Sequence, residues 1–182
     1  MCDQTLVQCA SPTLAGLKTA SLFSQPYRNT KELLLEIRAY NRRLRPKGMC
    51  LIPVAAKKGR VLLYLYRPKR LEADLSAAEA EEILQKAGYE PGNSGHIVYQ
   101  LVNRLENKGE FPHEIGVFLG YPPEDVKGFI ENRAKNCKCV GCWKVYGNVD
   151  AAKKTFRAYR NCTECYRKQL EKGVPLEHLL VG

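Results

Sequence analysis

Leu33, Leu34, Ile37 and Leu44 recur among arginines and lysines at helical intervals, which predicts an amphipathic helix over Thr30 to Leu44, ended near Pro46-Lys47-Gly48. Beyond it the period changes. Met49 to Ala55 and Arg60 to Arg67 are two β-prone runs, and Ala56-Lys57-Lys58-Gly59 between them predicts a hairpin whose second strand Pro68 stops. Ser76-Ala77-Ala78-Glu79 has the form of a capping box and predicts a helix through Lys86, closed by Gly88. Ile97, Leu101 and Leu105 keep helical spacing across Ser94 to Asn107. Pro112 and Pro122 stand where helices start, and Gly120-Tyr121 separates two short ones. Cys142-Trp143-Lys144-Val145-Tyr146 reads as a strand that joins the hairpin as its third member, followed by a long helix from Val149 to about Lys172 and a short apolar tail through Leu180. Strands and helices without strict β-α-β alternation predict an α+β fold: a small antiparallel sheet, hairpin plus C-terminal strand, packed with several helices in one domain over residues 1–182.

A chain of 182 residues buries roughly 70% of its unfolded surface on folding, so neither metal nor disulfide is needed merely to fold. The start, Met1-Cys2-Asp3-Gln4-Thr5, lacks a basic segment followed by an apolar one, and the longest strongly apolar run is Val61 to Tyr66, far short of a bilayer span. These features predict a cytoplasmic protein with no membrane partner. In a reducing compartment its eight cysteines read as free thiols, metal ligands or redox groups rather than disulfides.

The net charge of +10 is distributed in blocks. Residues 28–70 hold thirteen Lys/Arg against two acids, 71–126 hold three against eleven, and 127–172 hold twelve against four. Segments 28–70 and 127–172 could therefore fold into basic faces for a nucleic acid or an acidic protein partner. The alternative is neutralisation within the fold together with solvated helix faces.

Five thiols crowd the C-terminal third: Cys137, Cys139, Cys142, Cys162 and Cys165. Taken as Cys139-x2-Cys142 and Cys162-x2-Cys165, the spacing suits four thiolates around zinc, or an iron or iron–sulfur centre, with Cys137 a further candidate. A strand from Cys142 to Gly147 would advance ~20 Å and a helix from Val149 to Cys162 would return ~20 Å. That geometry would bring the two pairs together. Buried packing thiols and a redox dithiol are the competing readings.

Candidate catalytic groups are sparse. His113-Glu114 begins like a zincin motif, but the position four residues after the histidine is Val117, which excludes it. Glu114 at a helix start complements the dipole and His113 caps. Cys9 with His113 would give a thiol-dependent enzyme its nucleophile and base. Phosphate-binding glycine loops are absent. Alternation places Tyr64 and Tyr66 on one face of a strand and Lys144 and Tyr146 on one face of another, a surface for stacking bases or a planar cofactor unless helices cover it.

Pro112-His113-Glu114-Ile115-Gly116, Phe118-Leu119-Gly120-Tyr121-Pro122, Glu124-Asp125-Val126, Gly128-Phe129-Ile130 and Trp143-Lys144-Val145-Tyr146 resemble the domain-of-unknown-function family 3793 of anaerobic Gram-positive bacteria. Cys9 with Pro12 to Lys18, and Tyr66-Arg67-Pro68, fit it too, so the resemblance runs nearly end to end. It implies no defined activity, cofactor or catalytic residue. Members beside flavodoxin or iron-acquisition genes imply iron or redox physiology, and an aromatic often standing where this chain has Cys142 or Cys165 makes the full quartet a feature of this member. The combined reading is a non-enzymatic metal- or redox-linked binding protein, with a nucleic-acid-binding module or a thiol-dependent enzyme as alternatives.

Overall fold

A computed structural model describes residues 2–107 and 111–182. The chain divides into two compact units, one formed by Met1–Lys69 with Asn161–Gly182 and the other by Arg70–Arg160.

In the first unit, α1 (Asp3–Leu14) leads into β1 (Ala20–Pro26), α2 (Thr30–Leu44), a single 3-10 turn, and the hairpin of β2 (Cys50–Lys57) and β3 (Arg60–Tyr66). The antiparallel sheet has the order β1-β3-β2. Register sets Phe23 opposite Leu63 and Ser21 opposite Leu65, with Leu51 across from Leu65 on the other side. Alternation puts Val61, Leu63 and Leu65 on one face. There they pack with Leu6, Val7, Leu14, Ile37 and Leu44 from the helices to form the core. The hairpin turns on Lys58 and Gly59, both at positive φ, as a tight two-residue turn requires. α2 is capped by Asn29, whose side chain accepts from the Lys31 amide at 2.8 Å.

The sheet's third strand corrects the sequence reading. It is the N-terminal β1, whereas Lys144–Val145 pairs in a separate two-stranded ladder. β1 went unread because Ser21 and Gln25 occupy buried positions, which blurs the apolar alternation. Ser21 is satisfied there by the Thr13 hydroxyl at 2.9 Å. Pro68 does stop β3, and it also opens a helix, α3 (Pro68–Leu75), since proline's missing N–H costs nothing in a first turn.

The second unit continues with α4 (Ala78–Lys86), α5 (Ser94–Asn107), the one-turn α6 (Ile115–Phe118) and α7 (Pro123–Glu131), then β4 (Cys139–Val140) and β5 (Lys144–Val145). The capping box does not form. Ala77 is the cap residue of α4, and the Ser76 hydroxyl donates to Glu72 O at the end of α3. The long α8 (Val149–Glu171) carries the boundary between units within its length, and α9 (Leu176–Leu179) closes the first unit. Among the described residues no helix is long and apolar enough to cross a membrane.

The charge blocks resolve along the same division. The first unit holds sixteen Lys/Arg against six acids and the second thirteen against thirteen, so the first carries the whole net charge of +10. Neutralisation within the fold therefore describes one unit and not the other.

Candidate functional site

The distinctive strings of the sequence meet in the second unit, around one buried carboxylate. Asp125, in the first turn of α7, is 3% exposed. Its Oδ1 accepts from the amides of Tyr146 and Gly147 at 2.7 and 2.8 Å, and its Oδ2 accepts from Trp143 Nε1 at 2.7 Å. Three donors thus replace the water a buried carboxylate would lose. The effect is to strap the β4–β5 hairpin onto α7. Tyr121, between α6 and α7, stacks on Trp143 with ring centroids 4.8 Å apart, and Phe156 of α8 meets the same indole edge-on at 4.5 Å. Such pairs add roughly 0.5–1.5 kcal/mol each beyond the area they bury.

Two glycines make the approach close enough. A β-carbon on Gly128 would stand 2.5 Å from Tyr146 Cβ, and one on Gly141 would overlap the Phe156 ring. Only a residue without a side chain lets these surfaces meet.

Between α6, α7 and the hairpin lies a cavity of about 300 Å³, walled by Phe111, Tyr121, Phe129, Val140 and Trp143, with His113 and Lys144 also lining it. The Lys144 ammonium donates to Ala134 O at 2.7 Å and lies 5.9 Å from the Phe129 ring centre. One of its three donors is so engaged, and the ion is held in place at the wall. His113 meets the same Phe129 ring edge-on at 5.3 Å. A second cavity, of about 380 Å³, shares Phe111, Pro112 and His113 with the first. Ionic side chains, including Glu82, Lys86, Arg104, Glu114, Lys127 and Glu131, line it beside apolar Ile83, Phe111 and Ile130.

Glu114 is buried, with Oε1 3.7 Å from Arg104 Nη1. Arg104 stacks over the Tyr89 ring at 4.0 Å and donates to the carbonyls of Ala87 and Gly88. Glu114 holds the cap position of α6 without making a capping bond. Its neighbourhood is that of an ion-paired structural carboxylate.

The remaining sequence candidates are dispersed. Lys144 and Tyr146 belong to the hairpin of the second unit and Tyr64 and Tyr66 to the sheet of the first. Tyr64 and Tyr66 do share a face, stacked at 4.9 Å, but Tyr64 is fully buried and closed to a base. The Tyr146 hydroxyl is enclosed without a hydrogen-bond partner, and burial together with nearby Cys137 pushes its ionisation up.

Cys137, Cys139 and Cys142 lie on or beside the β4–β5 hairpin, while Cys162 and Cys165 lie on the part of α8 that belongs to the first unit. The six-residue strand from Cys142 is a two-residue β5, because the chain bends at Gly141 and is gathered by Asp125 after Val145. Within each unit, the described residues hold no group of three or more His, Cys, Asp or Glu placed for a metal ion. Cys139 packs against Val145, Ala152 and Phe156. Burial, reinforced by Cys165, pushes the Cys162 thiol up to about 11, and desolvation also raises Cys9 on α1.

One thiol moves the other way, and sequence reasoning passed it over. Cys2 stands at the cap position of α1 without a capping bond, its sulfur 3.2 Å from the Thr5 hydroxyl. That hydroxyl and the free amides of the first turn hold its ionisation below the ordinary thiol value. A cysteine three residues before a threonine at a helix start was the available sign. Cys2 is therefore expected to be the fastest site of iodoacetamide alkylation near neutral pH and Cys162 among the slowest, with Thr5→Val slowing Cys2 alone. Site-resolved mass spectrometry across pH checks this. Fastest labelling at Cys162 or Cys165 would reverse the ranking.

The fold and the cavity define a small α+β protein with an aromatic-walled pocket bordered by a strapped hairpin. The chain belongs to the family described as "Protein of unknown function (DUF3793)", which matches residues 6–180. No curated protein matches the chain, and no solved structure does.

Proposed function

We propose that the protein is a non-enzymatic binding protein whose ligand occupies the aromatic pocket of the second unit. The ligand class is a small, largely apolar or aromatic molecule with one anionic group. The observation that carries this reading is a cavity of about 300 Å³ with almost wholly apolar walls and the Lys144 ammonium fixed among them. Apolar concavities of this size with few placed polar groups are the usual form of small-molecule sites. Binding rather than catalysis is favoured because Asp125 already accepts three hydrogen bonds and His113 lies against an aromatic edge. Among the described residues neither is coupled to a nucleophile in the pocket.

The single tryptophan of the chain, Trp143, lines the cavity, so it reports occupancy directly. Titration with 1-anilinonaphthalene-8-sulfonate, an aromatic anion, is expected to quench Trp143 by energy transfer to a one-site plateau. Lys144→Met should weaken that binding by roughly tenfold, the loss expected for one charge-assisted contact. Val140→Asp places a negative charge at a residue 68% exposed and should weaken it further without disturbing the core. Non-saturating quenching, or affinity equal in all three proteins, would overturn the reading.

A further inference from the structure

The concentration of charge in the first unit has a specific geometry. Lys31, Leu35, Arg38 and Arg42 on α2 and Arg45, the first residue of the 3-10 turn that follows it, succeed one another at intervals of four, three, four and three residues, and all five are exposed. Such intervals trace one stripe along a helix. The opposite face, with Leu33, Ile37, Tyr40 and Leu44, is in the core, so the stripe points outward. From Lys31 to Arg42 the helix gives it a length of about 17 Å, and Arg45 lengthens it at the C-terminal end. Among the described residues Lys31, Arg38, Arg42 and Arg45 make no ion pair; the acids on the adjoining flank are Glu32 and Glu36. Arg43 is the exception on this helix, tied to Asp3 and Glu177.

The stripe continues past the start of α2. The Tyr27 amide donates to Gly59 O at 3.0 Å, which sets the approach to α2 beside the β2–β3 turn. Exposed Lys57 and Lys58 extend the positive surface there.

We infer that this stripe binds the phosphodiester backbone of a nucleic acid, without reading its sequence. Four cations on a straight rod match a linear array of phosphates, and the guanidinium fork of three arginines fits phosphate oxygens two at a time. An anionic membrane would require a broad apolar face to insert, and the apolar side chains that α2 leaves outside the core are only the adjacent Leu34 and Leu35, 41% and 62% exposed, beside four cations. An acidic protein would require a larger apolar centre within the patch than this one pair of leucines supplies. The fully buried Tyr64 removes the stacking platform that single-strand binders use. Backbone contact to a duplex is what remains.

The test is fluorescence anisotropy of a labelled DNA duplex and of a labelled RNA duplex, with wild type, Arg38→Gln/Arg42→Gln/Arg45→Gln and a control, Lys153→Gln/Lys154→Gln/Arg157→Gln. The control removes the same charge from exposed positions of the neutral second unit. Wild-type affinity should fall steeply with salt, with a log–log slope of about −0.9 for each phosphate contacted. The stripe variant should bind at least tenfold more weakly at low salt and show a slope shallower by roughly 2–3, while the control stays within about twofold of wild type. Equal losses in both variants would reduce the effect to net charge and overturn the inference. So would absence of binding at low salt, or retention on anionic phosphatidylserine vesicles without binding to either duplex.

Discussion

Asp125→Ala is expected to destabilise the second unit by about 3–5 kcal/mol, because one substitution strands three donors inside the protein. The indole N–H of Trp143 and the amides of Tyr146 and Gly147 all end on this carboxylate, and Asp125 is 3% exposed, so water does not readily take its place. The ladder it supports has only two residues on each side. A ladder that short is not stable alone, and the hairpin depends on the strap. Asp125→Asn separates charge from geometry: its amide oxygen still accepts from the two backbone amides, while its NH2 faces the indole N–H. About 1–3 kcal/mol should then be lost, one unsatisfied buried donor. Fluorescence of Trp143 during urea unfolding reads both effects, with a red-shifted native emission in the alanine variant as the hairpin opens. Unfolding midpoints indistinguishable from wild type would show that the strap is not what holds the hairpin.

Asp125 was legible only as part of a string. An acid in the first turn of a helix reads as a complement to the helix dipole, and its partners stand 18 to 22 residues further along, a separation with no periodic sign. The pocket shares this difficulty, since its walls come from two short helices and a hairpin whose approach depends on glycines rather than on any repeated pattern. Local patterns fared better. Thr30–Leu44 and Ser94–Asn107 have the bounds their apolar spacing predicts, and the hairpin turns where Lys58-Gly59 allows it. The α+β class followed from them.

The failures have physical causes of the same kind. α1 escaped notice because Pro12 lies inside it and Ser11 and Thr13 share its buried face with Leu6, Ala10 and Leu14. The Ser11 hydroxyl is satisfied by Val7 O at 2.5 Å, a back-bond that leaves no trace in hydropathy. The N-terminal origin of the third strand is hidden for a similar reason. Lys144 to Tyr146 looked more strand-like than Ala20 to Pro26, and the contacts of Ser21 and Arg60 that settle the matter are tertiary. Charge was legible as blocks along the chain, but the blocks are not the units. The acidic run and much of the C-terminal basic run cancel within the second unit, leaving the N-terminal basic run as the surface of the first.

That surface is positioned by one amide, and its removal is the second large effect expected. β2 is an edge of the three-stranded sheet, and an edge exposes backbone groups that must find partners. Asn41 of α2 supplies them for Leu51: its Nδ2 donates to Leu51 O at 2.8 Å and its Oδ1 accepts from Leu51 N at 2.9 Å. The side chain thus acts as a one-residue strand, covering the edge and fixing the rotation of α2 against the sheet. With Leu51 fully buried, Asn41→Ala leaves a donor and an acceptor unpaired and should cost the first unit about 2–4 kcal/mol. Asn41→Asp keeps the acceptor, loses the donor and buries a charge, so it should be at least as damaging. Hydrogen exchange at the Leu51 amide distinguishes loss of this contact from general loosening. Its protection should collapse in Asn41→Ala while the amides of β3, paired on both sides, lose only what the global destabilisation dictates. Unchanged protection at Leu51 would mean that the edge is held by the packing of Ile37 and Leu44 alone, and that the outward stripe of α2 is set by the core rather than by Asn41.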